Sequence, residues 1–159
     1  EGERKALEIS DIMGVEFTAS MEKKVVQVHC RGGQGRSEYE FAYSGVNDCN
    51  ALYELFGGNK VCKLGCLGLG SCIKVCPVEA IDYDREGLVW VNKEKCISCG
   101  KCIEVCPTGV MLLVPYEADY IVACSSTDKG AKVRKYCSGK DRPVPYTGMD
   151  GTAVHIPIT

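Results

Sequence analysis

Eight of the twelve cysteines in this 159-residue chain stand in two short runs. CKLGCLGLGSCIKVCP extends from Cys62 to Pro77, and CISCGKCIEVCP from Cys96 to Pro107. Cysteines two or three residues apart rarely reach disulfide geometry without distortion. Their thiolates converge on a metal without difficulty. A secreted scaffold held by disulfides spreads its cysteines along the chain instead. The crowding therefore argues for metal ligation and a reducing compartment.

Cys96, Cys99, Cys102 and Cys106, followed by Pro107, fit C-x2-C-x2-C-x3-C-P, the bacterial ferredoxin spacing. Three closely spaced thiolates wrap one face of an iron–sulfur cubane, and Gly100 lets the backbone turn with positive φ. Zinc also takes four thiolates, but zinc ribbons place a longer linker between two C-x2-C pairs. The first run has gaps of three, five and three residues. It aligns with the second at an offset of thirty, Cys72 on Cys102, Cys76 on Cys106 and Pro77 on Pro107. Cys66 and Cys62 then fall opposite Cys99 and Cys96, with LGLGS inserted. Gly65, Gly68 and Gly70 keep the longer loop tight, and Leu64, Leu67 and Leu69 are expected to shield a cluster. No cysteine is lost, so the expectation is two [4Fe–4S] clusters. In two-cluster ferredoxins the fourth thiolate of each run ligates the other cluster. That pattern gives one cluster Cys62, Cys66, Cys72 and Cys106, and the other Cys96, Cys99, Cys102 and Cys76. Ligation within each run is the alternative.

The net charge of −2 comes with mixed signs and no basic stripe, which disfavours nucleic-acid binding. No apolar run is long enough to span a bilayer, and no signal peptide is visible. The chain begins at Glu1 rather than Met, and is expected to be a piece of a longer protein.

Four regions are expected. Residues 1–58 form an α/β segment, with a short helix around Leu7–Met13, strands at VVQVHC (25–30) and YEFAYSG (39–45), and a helix through CNALYELF. That helix is capped by Asn47 or Asp48 and ended by Gly57 and Gly58. Residues 59–115 form the two-cluster unit, with a hairpin turning near Asp84–Gly87 and a strand, VMLLVP, stopped by Pro115. Residues 116–137 supply a strand at ADYIVAC and a loop that pack on the first segment, since VVQVHC and DYIVAC are alike. Residues 138–159 read as an irregular tail. The fold class is α+β: a 2[4Fe–4S] ferredoxin-like unit with a pseudo-twofold repeat, flanked by a small α/β layer.

GGNKVCKLGCLGLGSCIKVCPVEAI, followed by GLVWVNKEKCISCGKCIEVCPTGVMLLVP, closely resembles the B subunit of the Rnf complex, a membrane-bound, ion-translocating ferredoxin:NAD oxidoreductase. The resemblance continues through VVQVHCRGG, YSGVNDCNALYELFGG and CSSTDKGAKVRKYC, about residues 10–137. It implies a membrane helix and a further cluster domain ahead of this stretch. It also implies reduced ferredoxin as electron donor, other subunits as partners, and a place at the cytoplasmic face of the cell membrane through the parent protein. No bond-making chemistry is implied on this chain. SGKDRPVPYTGMDGTAVHIPIT departs from the family pattern. A free-standing soluble ferredoxin-like carrier and a non-redox domain braced by clusters are the alternative functions.

Cys30, Cys49, Cys124 and Cys137 lie outside the runs. Buried thiols packing as small hydrophobes are the simplest reading. A third metal site would need all four to converge. RGGQGRS lacks phosphate-loop order and reads as a flexible turn. His29 and His155 read as structural.

Overall fold

The structure is a computed structural model, and it describes residues 2–14, 22–118, 120–138 and 144–145. Almost all of the expected tail therefore lies outside the described residues. The elements in chain order are α1 (Gly2–Met13), β1 (Lys24–Val28), α2 (Cys49–Tyr53), α3 (Ser71–Lys74), β2 (Ile81–Tyr83) and β3 (Val89–Val91). They continue with α4 (Lys101–Glu104), β4 (Met111–Pro115), β5 (Tyr120–Ile121), α5 (Gly130–Val133) and β6 (Val144–Pro145).

The strands form three antiparallel pairs, β1 with β4, β2 with β3, and β5 with β6. This differs from the expected flanking layer. β1 does not pair with the ADYIVAC strand; it pairs with β4, the strand that follows the second cysteine run. The register explains the choice. Val28 lies opposite Met111 and Val25 opposite Val114, so both faces of β1 find apolar partners. Val26 and Val28 join the core that holds Cys66, Cys72 and Cys102, while Val25 and Val114 pack with Cys96 and Tyr116.

YEFAYSG forms no strand. A single bridge joins Tyr39 to Lys60, and the Tyr43 hydroxyl then donates to the Val46 carbonyl and closes a local turn. Alternating aromatics without a partner strand do not make a sheet. α2 is shorter than CNALYELF suggests, but its cap is as read: Asp48 Oδ1 accepts the N–H groups of Asn50 and Ala51. In α1, Leu7, Ile9, Ile12 and Met13 stay exposed.

The β2–β3 hairpin turns where expected. Asp84 Oδ1 accepts from Glu86 N–H and Leu88 N–H, and Gly87 takes φ +71°. RGGQGRS is pinned to this turn. Gln34 N–H donates to the Glu86 carbonyl, and Arg36 pairs with the Glu86 carboxylate.

The thirty-residue repeat extends to the backbone. Gly70 and Gly100 both sit in the left-handed region ahead of α3 and α4. The bond from Cys76 N–H to the Ile73 carbonyl is matched by that from Cys106 N–H to Ile103. Each run then closes on a residue at positive φ, Glu79 (+49°) in the first and Gly109 (+65°) in the second. A Cβ on Gly109 would meet nothing within 4 Å. Gly109→Ala should therefore cost backbone strain alone, about 1 kcal/mol, while Glu79→Gly should leave stability unchanged or raise it. Anaerobic thermal unfolding checks both, at about 2–4 °C per kcal/mol for a chain of this size.

Candidate metal centre

The twelve cysteines form no disulfide. Eight of them line two cavities in the core. The first is lined by Cys49, Cys66, Cys72 and Cys106, walled by Leu67, Val89, Val110 and Met111. The second is lined by Cys76, Cys96, Cys99 and Cys102, walled by Val26, Ile81 and Val91. In each, thiols from one cysteine run are joined by a fourth-position thiol of the other, Cys106 in the first cavity and Cys76 in the second.

The cysteines that line the first cavity differ at one position from the set expected to share a cluster. Cys62 does not line the first cavity, and Cys49 does. The local reason is a hydrogen-bonded link between the α2 cap and the α3 start. Buried Ser71 donates its hydroxyl to Asp48 Oδ2 at 3.0 Å and accepts Cys49 N–H at 2.8 Å. The Asp48 carboxyl is held below its usual range, first by Ala51 N–H and then by this hydroxyl. Lys74 Nζ adds a bond to the Asn47 carbonyl. Cys49 is thus carried by a segment outside both runs, ahead of the first. The D-C-N cap was the only sequence signal, and it reads as a helix start rather than a ligand.

The inserted GCLGLGS loop packs against the hairpin. Gly68 takes φ +76°, and a Cβ there would come within 2.9 Å of the Gly87 carbonyl. Of the three leucines, Leu67 is buried against the first cavity, Leu64 lines a separate cavity, and Leu69 lines neither. In the second cavity Ser98 takes φ +56° and donates to the Lys24 carbonyl, tying the wrapping loop to β1.

Burial controls the thiols. It pushes Cys72 up to about 12, with Cys66, Cys49, Cys106 and Cys102 adding in the same sense. It pushes Cys102 up to about 11, and Cys96, Cys99 and Cys76 add to that. It also pushes Cys66 up to about 11, against the opposing pull of Gly68 and Val89 N–H groups. Unligated thiols here keep their protons, and a metal has to displace them.

Among the described residues, no three His, Cys, Asp or Glu side chains are grouped to hold a single metal ion. Four thiols around an apolar cavity suit a larger group. A cubane offers iron at separate corners, so its thiolates stand apart instead of meeting at a point. Backbone N–H groups aimed at sulfur fit the same group, as with Ala80 N–H and Cys76 Sγ at 3.3 Å.

Comparisons with known proteins agree. The 4Fe-4S dicluster domain family matches residues 60–113. The B subunit of the Na(+)-translocating ferredoxin:NAD(+) oxidoreductase complex of Acetobacterium woodii is 42% identical over 133 residues, 84% of this chain and 40% of that protein. The chain is a homologue of these B subunits. The B subunit of the proton-translocating ferredoxin:NAD(+) oxidoreductase complex of Clostridium ljungdahlii is 45% identical over 118 residues, 74% of this chain and 42% of that protein. The B subunit of the ion-translocating oxidoreductase complex of Methanosarcina acetivorans is 38% identical over 132 residues, 83% of this chain and 50% of that protein. The B-subunit homologue thus spans half or less of the length of these curated relatives. Among its described residues no helix is long and apolar enough to cross a membrane.

Ser71→Ala removes the link that places Cys49 and leaves its part-buried N–H without an acceptor. It should cost about 1–3 kcal/mol and speed loss of iron to a chelator. Chelation kinetics matching the unaltered chain would show that Ser71 does not position the ligand.

Proposed function

We propose that this chain is an iron–sulfur electron-transfer module of a membrane-bound Rnf-type complex, receiving electrons from reduced ferredoxin at the cytoplasmic face of the membrane. Two [4Fe–4S] clusters would be held, one by Cys49, Cys66, Cys72 and Cys106, the other by Cys76, Cys96, Cys99 and Cys102. The observation that carries the reading is the crossed sharing of thiols between the two cavities. The matching bonds around Gly70 and Gly100 support a pseudo-twofold relation between the two halves.

When bound, such clusters supply one-electron oxidation and reduction at a potential set by their surroundings. The chain's own contribution is positional. Val26, Val89, Val91, Val110 and Met111 exclude water from the cavity walls. N–H groups directed at sulfur stabilise thiolate charge and raise the potential, while apolar burial lowers it. Cys99 is exposed and its neighbour Ile97 projects to solvent, so the second cavity lies nearer the surface. No cysteine of the first cavity is as open: Cys66 and Cys72 are buried, and Cys49 and Cys106 half-buried. Electrons would enter at the second.

The names of the relatives support the complex over a free-standing carrier. Anaerobic mixing of the reconstituted chain with reduced ferredoxin tests the role. Ferredoxin should be reoxidised while EPR signals of reduced, mutually coupled [4Fe–4S] clusters appear in this chain. Ferredoxin that stays reduced beside an oxidised chain would refute the donor assignment.

A further inference from the structure

The four cysteines left over by the two cavities also come together. Cys30, Cys62, Cys124 and Cys137 line one further cavity. Its volume, including space open to solvent, is about 390 Å³, against about 330 and 320 Å³ for the other two. The glycines around it let the thiols approach: a Cβ on Gly32 would come within 3.2 Å of Cys137 Sγ, and one on Gly65 within 3.8 Å of Cys30 Sγ.

Four segments are pinned to make this cavity. Lys60 Nζ donates to the Gly32 and Cys66 carbonyls, both at 2.6 Å, which locks the loop after β1 onto the first cysteine run. Ser125 Oγ donates to the His29 carbonyl at 3.2 Å and brings Cys124 in. Cys137 bridges to Ser37, and Ser138 N–H donates to the Arg36 carbonyl. Gly32 N–H is directed at Cys30 Sγ at 3.4 Å, as Ala80 N–H is at Cys76.

Two buried polar groups point the same way. Lys60 is 2% exposed, and among the described residues no carboxylate lies within ion-pair distance of it. A buried ammonium calls for a compensating negative charge, and a thiolate-ligated cluster supplies one. His29 lines the cavity too, and its Nε2 is buried with no hydrogen-bond partner among the described residues.

We propose that Cys30, Cys62, Cys124 and Cys137 form a third ligand set, for a [4Fe–4S] cluster beside the dicluster unit. The inference rests on the iron–sulfur reading of the other two cavities. Each thiol gives its proton to solvent as its sulfur bonds to iron, and iron and sulfide enter from the assembly source. The site adjoins the first cavity: Cys62 and Cys66 are four residues apart, a span of at most about 14 Å, and Cys30 acts electrostatically on Cys66. Cys66 and Cys72 of the first cavity share one buried hydrophobic cluster with Cys102 of the second, and Cys30 packs against that same cluster.

The test is anaerobic reconstitution of the full chain with equal parts of ferrous and ferric iron and with sulfide, with iron, sulfide and zinc quantified and Mössbauer spectra recorded. The unaltered chain should hold about twelve iron and twelve sulfide, and a Cys124→Ser, Cys137→Ser variant about eight of each. The variant should keep the coupled EPR signals of the remaining pair. About eight iron in both proteins overturns the third site and leaves the dicluster reading intact. Fewer than about eight in the unaltered chain overturns both readings. Zinc that accompanies about eight iron and disappears in the variant overturns the cluster chemistry of this site. If the variant loses all its iron, the unaltered chain decides: a Mössbauer area for about twelve cubane irons supports the site, and one for about eight overturns it.

Discussion

Convergence of cysteines from distant parts of the chain is the constraint on which this structure depends. Among the described residues, the helices that carry the cavity cysteines have four or five residues, and every sheet has two strands. Such elements are marginal by themselves in water. What joins them is a set of thiol-lined cavities, each drawing on segments that are not neighbours in sequence. Cys49 reaches Cys106 across more than fifty residues, and Cys76 reaches into the loop of Cys96 to Cys102. Ligation across such distances, on the proposed reading, would remove freedom from the unfolded chain in the way a cross-link does, and would couple folding to cluster loading.

The electrostatics follow from that arrangement. Thiols crowded in apolar surroundings hold their protons, and loading replaces those protons with iron. The charge left on the thiolate-ligated group has to be offset by the protein. Backbone N–H groups at Cys66 and Cys76 do part of this. Lys60, buried between the first cavity and the loop after β1, adds to it: its ammonium draws two carbonyls together while its charge acts on Cys66. One side chain thereby ties two loops together and places a positive charge beside Cys66.

Much of this was legible in the cysteine spacing, because ligand runs are local. The offset of thirty, the glycines before α3 and α4, the hairpin turn at Asp84–Gly87 and the Asp48 cap all arise from short-range chemistry. The missed features are long-range. Cys49 and not Cys62 lines the first cavity, its N–H held by a serine hydroxyl twenty-two residues away, which no spacing rule records. β1 was assigned to a separate layer because it resembles DYIVAC, whereas the apolar faces of Val25, Val26 and Val28 select β4. The leftover cysteines were expected to act as a foursome or as separate thiols. Four thiols do line one further cavity, with Cys62 among them and Cys49 outside, an exchange that only the folded chain displays.

Anomalous diffraction at the iron edge from crystals of the loaded chain tests the ligand assignment most directly. The account predicts iron density bounded by the sulfurs of Cys49, Cys66, Cys72 and Cys106, and separate density bounded by those of Cys76, Cys96, Cys99 and Cys102. Iron bounded by Cys62, Cys66, Cys72 and Cys76, the cysteines of one run alone, would contradict it.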